Sequence, residues 1–121
     1  MKLLNRVFLT AAGAAVLFTA PGVSAQGKLP PYPEALRCAA LTHAASKIGK
    51  GTPQESALFD QLIYWGMAAA DSGRAAGKAS KAIDAEVTRE SAVVEPQLRS
   101  QSGTATTALA ACVARVPALD N

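Results

Sequence analysis

One histidine and two cysteines, His43, Cys38 and Cys112, carry most of the reactive chemistry open to this chain. A metal site would need His43 to be joined by several imidazole, thiolate or carboxylate ligands, and no His or Cys cluster accompanies it. Met67 is the residue that could pair with it, because His and Met together ligate haem iron in some proteins. No C-x-x-C-H attachment sequence occurs. His43 therefore reads as a histidine at the edge of a helix face, with a His43 and Met67 haem or small-molecule bundle as the alternative, and no cofactor or metal is assigned.

The remaining candidates weaken under the same test. Gly49-Lys50-Gly51-Thr52 imitates a phosphate loop, but glycine follows the lysine, Ala44 stands where the upstream glycine belongs, and no strand leads in. Asp84, Glu86 and Glu90 lie close in sequence, yet Lys81 and Arg89 flank them as on a solvated helix face. No G-x-S-x-G occurs, and a single histidine does not make a triad. The chain is read as no enzyme. Arg74, Lys78 and Lys81 recur at helical spacing and could form a basic patch, with Asp71 and Asp84 bracketing it. Tyr64 and Trp65 are neighbours that a helix points about 100° apart, so only one can enter the core fully. The preferred reading puts Trp65 inside, and the alternative makes it an interface anchor of the kind binding surfaces favour. Tyr64, Trp65, Arg74, Lys78 and Lys81 together form the candidate interaction surface.

The cysteines depend on the compartment. Lys2 and Arg6 precede an apolar or small stretch from Val7 to Ala20, followed by Pro21, Gly22 and Val23-Ser24-Ala25. That order is a charged region, an apolar region and a small-x-small cleavage site, predicting a cleavable secretory signal over residues 1–25. The apolar stretch is shorter than the roughly 20 residues a membrane-spanning helix needs, so stable insertion after cleavage is not expected. No cysteine stands at the cleavage point, which argues against a lipid anchor. The signal predicts the periplasm, with full secretion as the alternative. In an oxidising compartment two cysteines read as one structural bridge, Cys38 to Cys112.

Loss of Lys2 and Arg6 leaves ten basic residues against nine acidic, so the net charge of +3 falls to +1. A nearly neutral domain lacks the electrostatic footprint of a nucleic-acid binder.

Four helical runs must position these residues. Residues 26–32 form a proline-rich extended lead-in. Helix one is predicted from about Pro33 to Ile48, with Leu36, Ala40, Ala44 and Ile48 on one stripe, Leu41 beside it, and Gly49 as C-cap. Thr52-Pro53-Gln54-Glu55 has the pattern of a capping box and should open helix two. That helix carries Leu58, Phe59, Leu62, Ile63, Trp65, Gly66, Met67 and Ala69, with Gly73 and Gly77 as possible exits. Phe59 and Trp65 are expected to fill most of the interior. Helix three places Ile83, Val87, Val94 and Leu98 inward, with a kink or break near Val93 to Glu95 caused by Pro96. Helix four should run from about Thr104 to Val116, with Ala105, Leu109, Cys112, Val113 and Val116 facing in and Pro117 stopping it. Residues 33–117 then form one all-α domain, a small up-down four-helix bundle closed by Cys38 and Cys112, and residues 118–121 form a tail.

Alanine supplies 21 of the 96 residues after Ala25, so helix propensity is high and core volume is small. A signal peptide, one disulfide and a helical body give an architecture that resembles small periplasmic helical proteins, among them the acid-activated chaperones. The expected function is non-enzymatic: an exported interaction, accessory or chaperone-like module whose partner is another protein.

Overall fold

The computed structural model of the chain describes residues 29–117. The predicted signal over residues 1–25, residues 26–28 of the lead-in and the tail at 118–121 lie outside them. The described residues form four helices: α1 Tyr32–Ile48, α2 Glu55–Ala75, α3 Ser80–Arg99 and α4 Gly103–Ala114. No helix among them is long and apolar enough to cross a membrane.

Each helix ends where local chemistry directs. Pro31 caps α1 and Pro33 sits in its first turn, where a missing N–H costs no intrahelical bond. Thr52 and Glu55 do bond to backbone, in a register slightly different from the expected capping box. The Thr52 hydroxyl accepts from the N–H of Gln54 at 3.2 Å, and the Glu55 carboxylate accepts from the N–H of Gly51 at 3.0 Å. These bonds stabilise a turn, and the regular helix begins only at Glu55. Gly77 is the true exit of α2: it sits at a φ of 87°, and the bonds from Lys78 N–H to the Gly73 carbonyl and from Gly77 N–H to the Arg74 carbonyl form a Schellman cap. The same pair of bonds closes α3, with Gln101 in the left-handed region at a φ of 59°.

Gly73 is no exit. A Cβ there would lie 2.5 Å from Ile83 Cδ1 and 3.0 Å from the Tyr32 ring, so this glycine is the notch that brings α1, α2 and α3 together. The break expected near Val93 to Glu95 is absent, and α3 runs on through Pro96 to Arg99. Proline deletes one backbone bond there, within the last turn, while the Pro96 carbonyl still accepts from Ser100 N–H at 3.0 Å.

Helix α1 is the centre of the molecule. Ala35, Ala39, Ala40, Leu41, Thr42 and Ala44 are all fully buried, where the periodicity predicts a single inward stripe. Helices α2, α3 and α4 all pack on α1, which its run of alanines permits, because small side chains let backbones approach from several directions. A helix apolar around most of its circumference belongs in the interior. Thr42 satisfies its hydroxyl locally, donating to the Cys38 carbonyl at 2.8 Å.

Trp65 is 1% exposed and is the largest fully buried side chain. Its indole N–H donates to the carbonyl of Cys112 at 3.0 Å, meeting the need of a buried indole for an acceptor. Phe59, expected beside it in the core, is 53% exposed. Leu58, Leu62, Trp65 and Ala69 already occupy the arc of α2 that faces α1, and Phe59 lies about 100° round the helix from Leu58.

Cys38 and Cys112 stand with Cα atoms 5.5 Å apart and sulfurs at bonding distance, across a sequence separation of 74. Closing a loop of that length stabilises the folded chain by about 4 kcal/mol in the chain-entropy account. A Cys38→Ala/Cys112→Ala double variant should lose about that much unfolding free energy, read from guanidinium midpoints. A midpoint equal to that of the oxidised wild type would show that the bridge contributes nothing.

Candidate functional site

Of the predicted surface residues, the structure gathers only some. Trp65 is in the core, as preferred on sequence grounds, and so does not belong to the surface. Tyr64 stands at its edge, 38% exposed, with its ring edge-on to Trp65 at a centroid distance of 5.3 Å. Arg74 is half-exposed and bonds Asp71 at 2.6 Å. Lys78 turns inward onto Glu86 at 3.2 Å and lies 5.2 Å from the centre of the Tyr32 ring. Lys81 is exposed. Of the basic set, Arg74 and Lys78 are each drawn to a carboxylate, Asp71 and Glu86 respectively.

Lys78 belongs instead to a three-residue knot that the sequence hides. The Tyr32 hydroxyl donates to Glu86 at 2.6 Å, and Lys78 bonds the other oxygen of the same carboxylate. Glu86 has the spacing of a solvated face, and nothing local to it reveals a partner 54 residues away. Burial, reinforced by the hydrogen bond to Glu86 and then by its charge, pushes the Tyr32 phenol up to about 12. The bond from Tyr32, and then that from Lys78, holds the Glu86 carboxyl below its ordinary range. A second carboxylate, Glu95, is lowered by Arg99 first and then by Lys47, which bonds it at 3.2 Å. Both knots tie neighbouring helices.

His43 meets a partner as well. Its Nδ1 lies 3.1 Å from the hydroxyl of Ser91, a buried serine on the inward stripe of α3. Ser91 is mid-helix, where backbone N–H groups are committed to the helical ladder, so no pair of free donors converges on it as acyl transfer requires. The pair does what a buried polar group needs: the imidazole satisfies the hydroxyl and joins α1 to α3.

Two recesses open at the α1 to α2 turn. A groove of about 840 Å³ is lined by His43, Lys47, Lys50, Glu55, Phe59 and Leu62, among others. Met67 is not among its lining residues. A second groove, about 570 Å³, has an apolar floor including Ile48, Leu58, Leu98 and Leu109 under uncharged polar groups including Thr52, Gln54 and Gln101. Among the described residues no three His, Cys, Asp or Glu side chains converge as a metal site.

The feature that sequence analysis missed is the outer face of α2. Phe59, Ile63 and Met67 are 53%, 45% and 62% exposed, and their spacing of four places them on one stripe over three turns. Gly66 lies within the stripe with open space where a Cβ would stand. A signal for it was present: Leu58, Leu62, Trp65 and Ala69 form one apolar arc and Phe59, Ile63 and Met67 form another. Both arcs cannot face the same neighbour.

The chain matches no family model, no curated protein and no solved structure.

The Tyr32 knot predicts an alkaline dependence. Below pH 10 the phenol keeps its proton in both folded and unfolded chains, and its full contribution to stability is present. From pH 10 to about 12 the unfolded chain loses that proton first, so stability falls. Urea midpoints of wild type should drop across this window more steeply than those of Tyr32→Phe. Parallel curves would remove the knot from the account.

Proposed function

We propose that this chain is an exported, non-enzymatic protein-interaction module, accessory or chaperone-like, that binds protein through the outer face of α2. In this reading residues 1–25 are removed on export and the mature domain works in the periplasm. The observation that carries it is the exposed Phe59, Ile63 and Met67 stripe, since contiguous exposed apolar surface marks interaction sites in soluble proteins. Fully burying each such side chain in an interface is worth about 1.5 to 3 kcal/mol before the costs of association.

The scaffold proposed for this face is an up-down bundle. Tyr32 meets Glu86 nearer the starts of α1 and α3, and Lys47 meets Glu95 near their ends. Those contacts support α1 and α3 running in the same sense, with α2 and α4 running back. A disulfide-linked domain of this size fits an oxidising compartment.

A photo-crosslinking phenylalanine derivative replacing Met67, in protein expressed with its leader, tests the reading in the cell. Irradiation should yield a discrete protein adduct in the periplasmic fraction. The same group at exposed Thr104 on α4 serves as the control. Absence of any adduct at Met67, or identical adducts from both positions, would overturn the proposal.

A further inference from the structure

The stripe on α2 has an order along it that a merely sticky surface would lack. At about 100° per residue, Phe59, Ile63, Gly66, Met67, Ala70 and Arg74 all fall within roughly one third of the helix circumference. Phe59 and Ile63 precede Gly66, and after it the small Ala70 stands between the longer Met67 and Arg74. Charge is divided along it: Asp60 flanks the stripe toward its start, and Arg74 closes it at its end.

A surface of this kind is complementary to itself when reversed. Taking the outer face of α2 as a protein-binding surface, as proposed above, we infer that its occupant is a second copy of this chain, packed α2 against α2 antiparallel about a two-fold axis beside Gly66 and Met67. A two-fold contact uses the same patch on both molecules, so each pairing occurs twice. Ile63 then faces Ala70 of the second copy, and Phe59 reaches its segment from Ala70 to Arg74. The two Met67 side chains meet across the axis. Gly66 supplies room there, since beyond its chain neighbours and the backbone of its own helix nothing lies within 4 Å of where its Cβ would be. A glycine inside an exposed helix costs about 1 kcal/mol relative to alanine. No contact within the monomer requires it, in contrast to Gly73, which Ile83 and Tyr32 crowd. Close approach of a second backbone gives Gly66 a role.

Charge complementarity selects the antiparallel arrangement. It sets Asp60 opposite Arg74 of the second copy at both ends of the contact. Arg74 already bonds Asp71 at 2.6 Å with about half of its side chain exposed, so it can bridge Asp71 and the incoming Asp60. A parallel arrangement would place like charges together, Asp60 on Asp60 and Arg74 on Arg74.

Sedimentation equilibrium of the mature, oxidised protein over a wide concentration range tests this. Wild type should show a reversible monomer to dimer equilibrium. Met67→Glu brings two carboxylates together at the axis and should weaken dimerisation by about tenfold or more, consistent with like-charge contacts at an interface. Asp60→Arg and Arg74→Asp should each weaken self-association by about tenfold, from two rim pairs converted from attraction to repulsion. An equimolar mixture of those two variants should recover dimer. At one end of the mixed contact the arginine introduced at position 60 meets the aspartate introduced at position 74 of the other chain, and at the opposite end the native Arg74 and Asp60 meet. All the substituted side chains are exposed, and melting curves should confirm that each variant folds. Wild type that stays monomeric throughout, or single charge variants that dimerise as wild type does, would overturn the inference, as would a mixture that fails to recover dimer. The crosslinking experiment separates the two levels. A monomer whose Met67 position still traps a different protein refutes the second copy and leaves α2 as an interaction surface, whereas a monomer that traps nothing refutes both.

Discussion

The architecture depends on one junction, where the start of α1 and the end of α4 are held together around the Cys112 backbone. The sulfur bridge to Cys38 joins the two helices covalently, and the indole of Trp65 brings α2 to the same point by donating to the Cys112 carbonyl. Arg115, just past the end of α4, lies 5.0 Å from the Trp65 ring centre and bonds Glu34 of α1. A covalent link, a buried hydrogen bond and a cation over an aromatic face thus meet within a few residues. The carbonyl of Cys112 lies in the last turn of α4, where it accepts both from the Arg115 N–H at 3.2 Å and from the indole.

What lets so small a core hold is the narrowness of α1. Its alanines contribute little apolar area each but allow three helices to approach one axis, and the only large side chain wholly buried on it is Leu41. Volume comes from outside, chiefly from Trp65 on α2 with Ile83, Val94 and Leu98 on α3. Specificity comes from polar knots between helices: Tyr32 with Glu86 and Lys78, His43 with Ser91, and Lys47 with Glu95. Each joins α1 or the α2 exit to α3, and each constrains how one helix slides along another. The notch at Gly73 does the same by shape, admitting Ile83 and the Tyr32 ring where any larger residue would clash.

An apolar stripe left outside this arrangement follows from the same economy of space. Helix α2 carries two apolar arcs, and α1 is too thin to cover both. The inner arc, with Trp65, takes the core, and the outer arc, with Phe59, Ile63 and Met67, faces solvent. Expecting Phe59 inside is a natural error, because a count of large residues does not say how many neighbours are available to receive them.

Local periodicity and punctuation alone determined that the chain is helical and where the four helices lie to within a few residues. These are properties of adjacent residues: alanine-rich propensity, Pro31 and Pro33 at an entry, Gly77 at an exit, and an inward stripe on α3 at Ile83, Val87, Val94 and Leu98. Tertiary structure decided which face of α2 goes inward, that α1 is enclosed on most sides, that Gly73 is a notch, that Pro96 is carried within α3, and that Glu86 and His43 have partners on other helices. The physical reason is range. Helix formation is settled over three or four residues by backbone bonds, whereas the fate of a side chain depends on which surface arrives from dozens of residues away. A proline near a helix end or a glutamate on a polar face looks the same in sequence whether or not that surface comes.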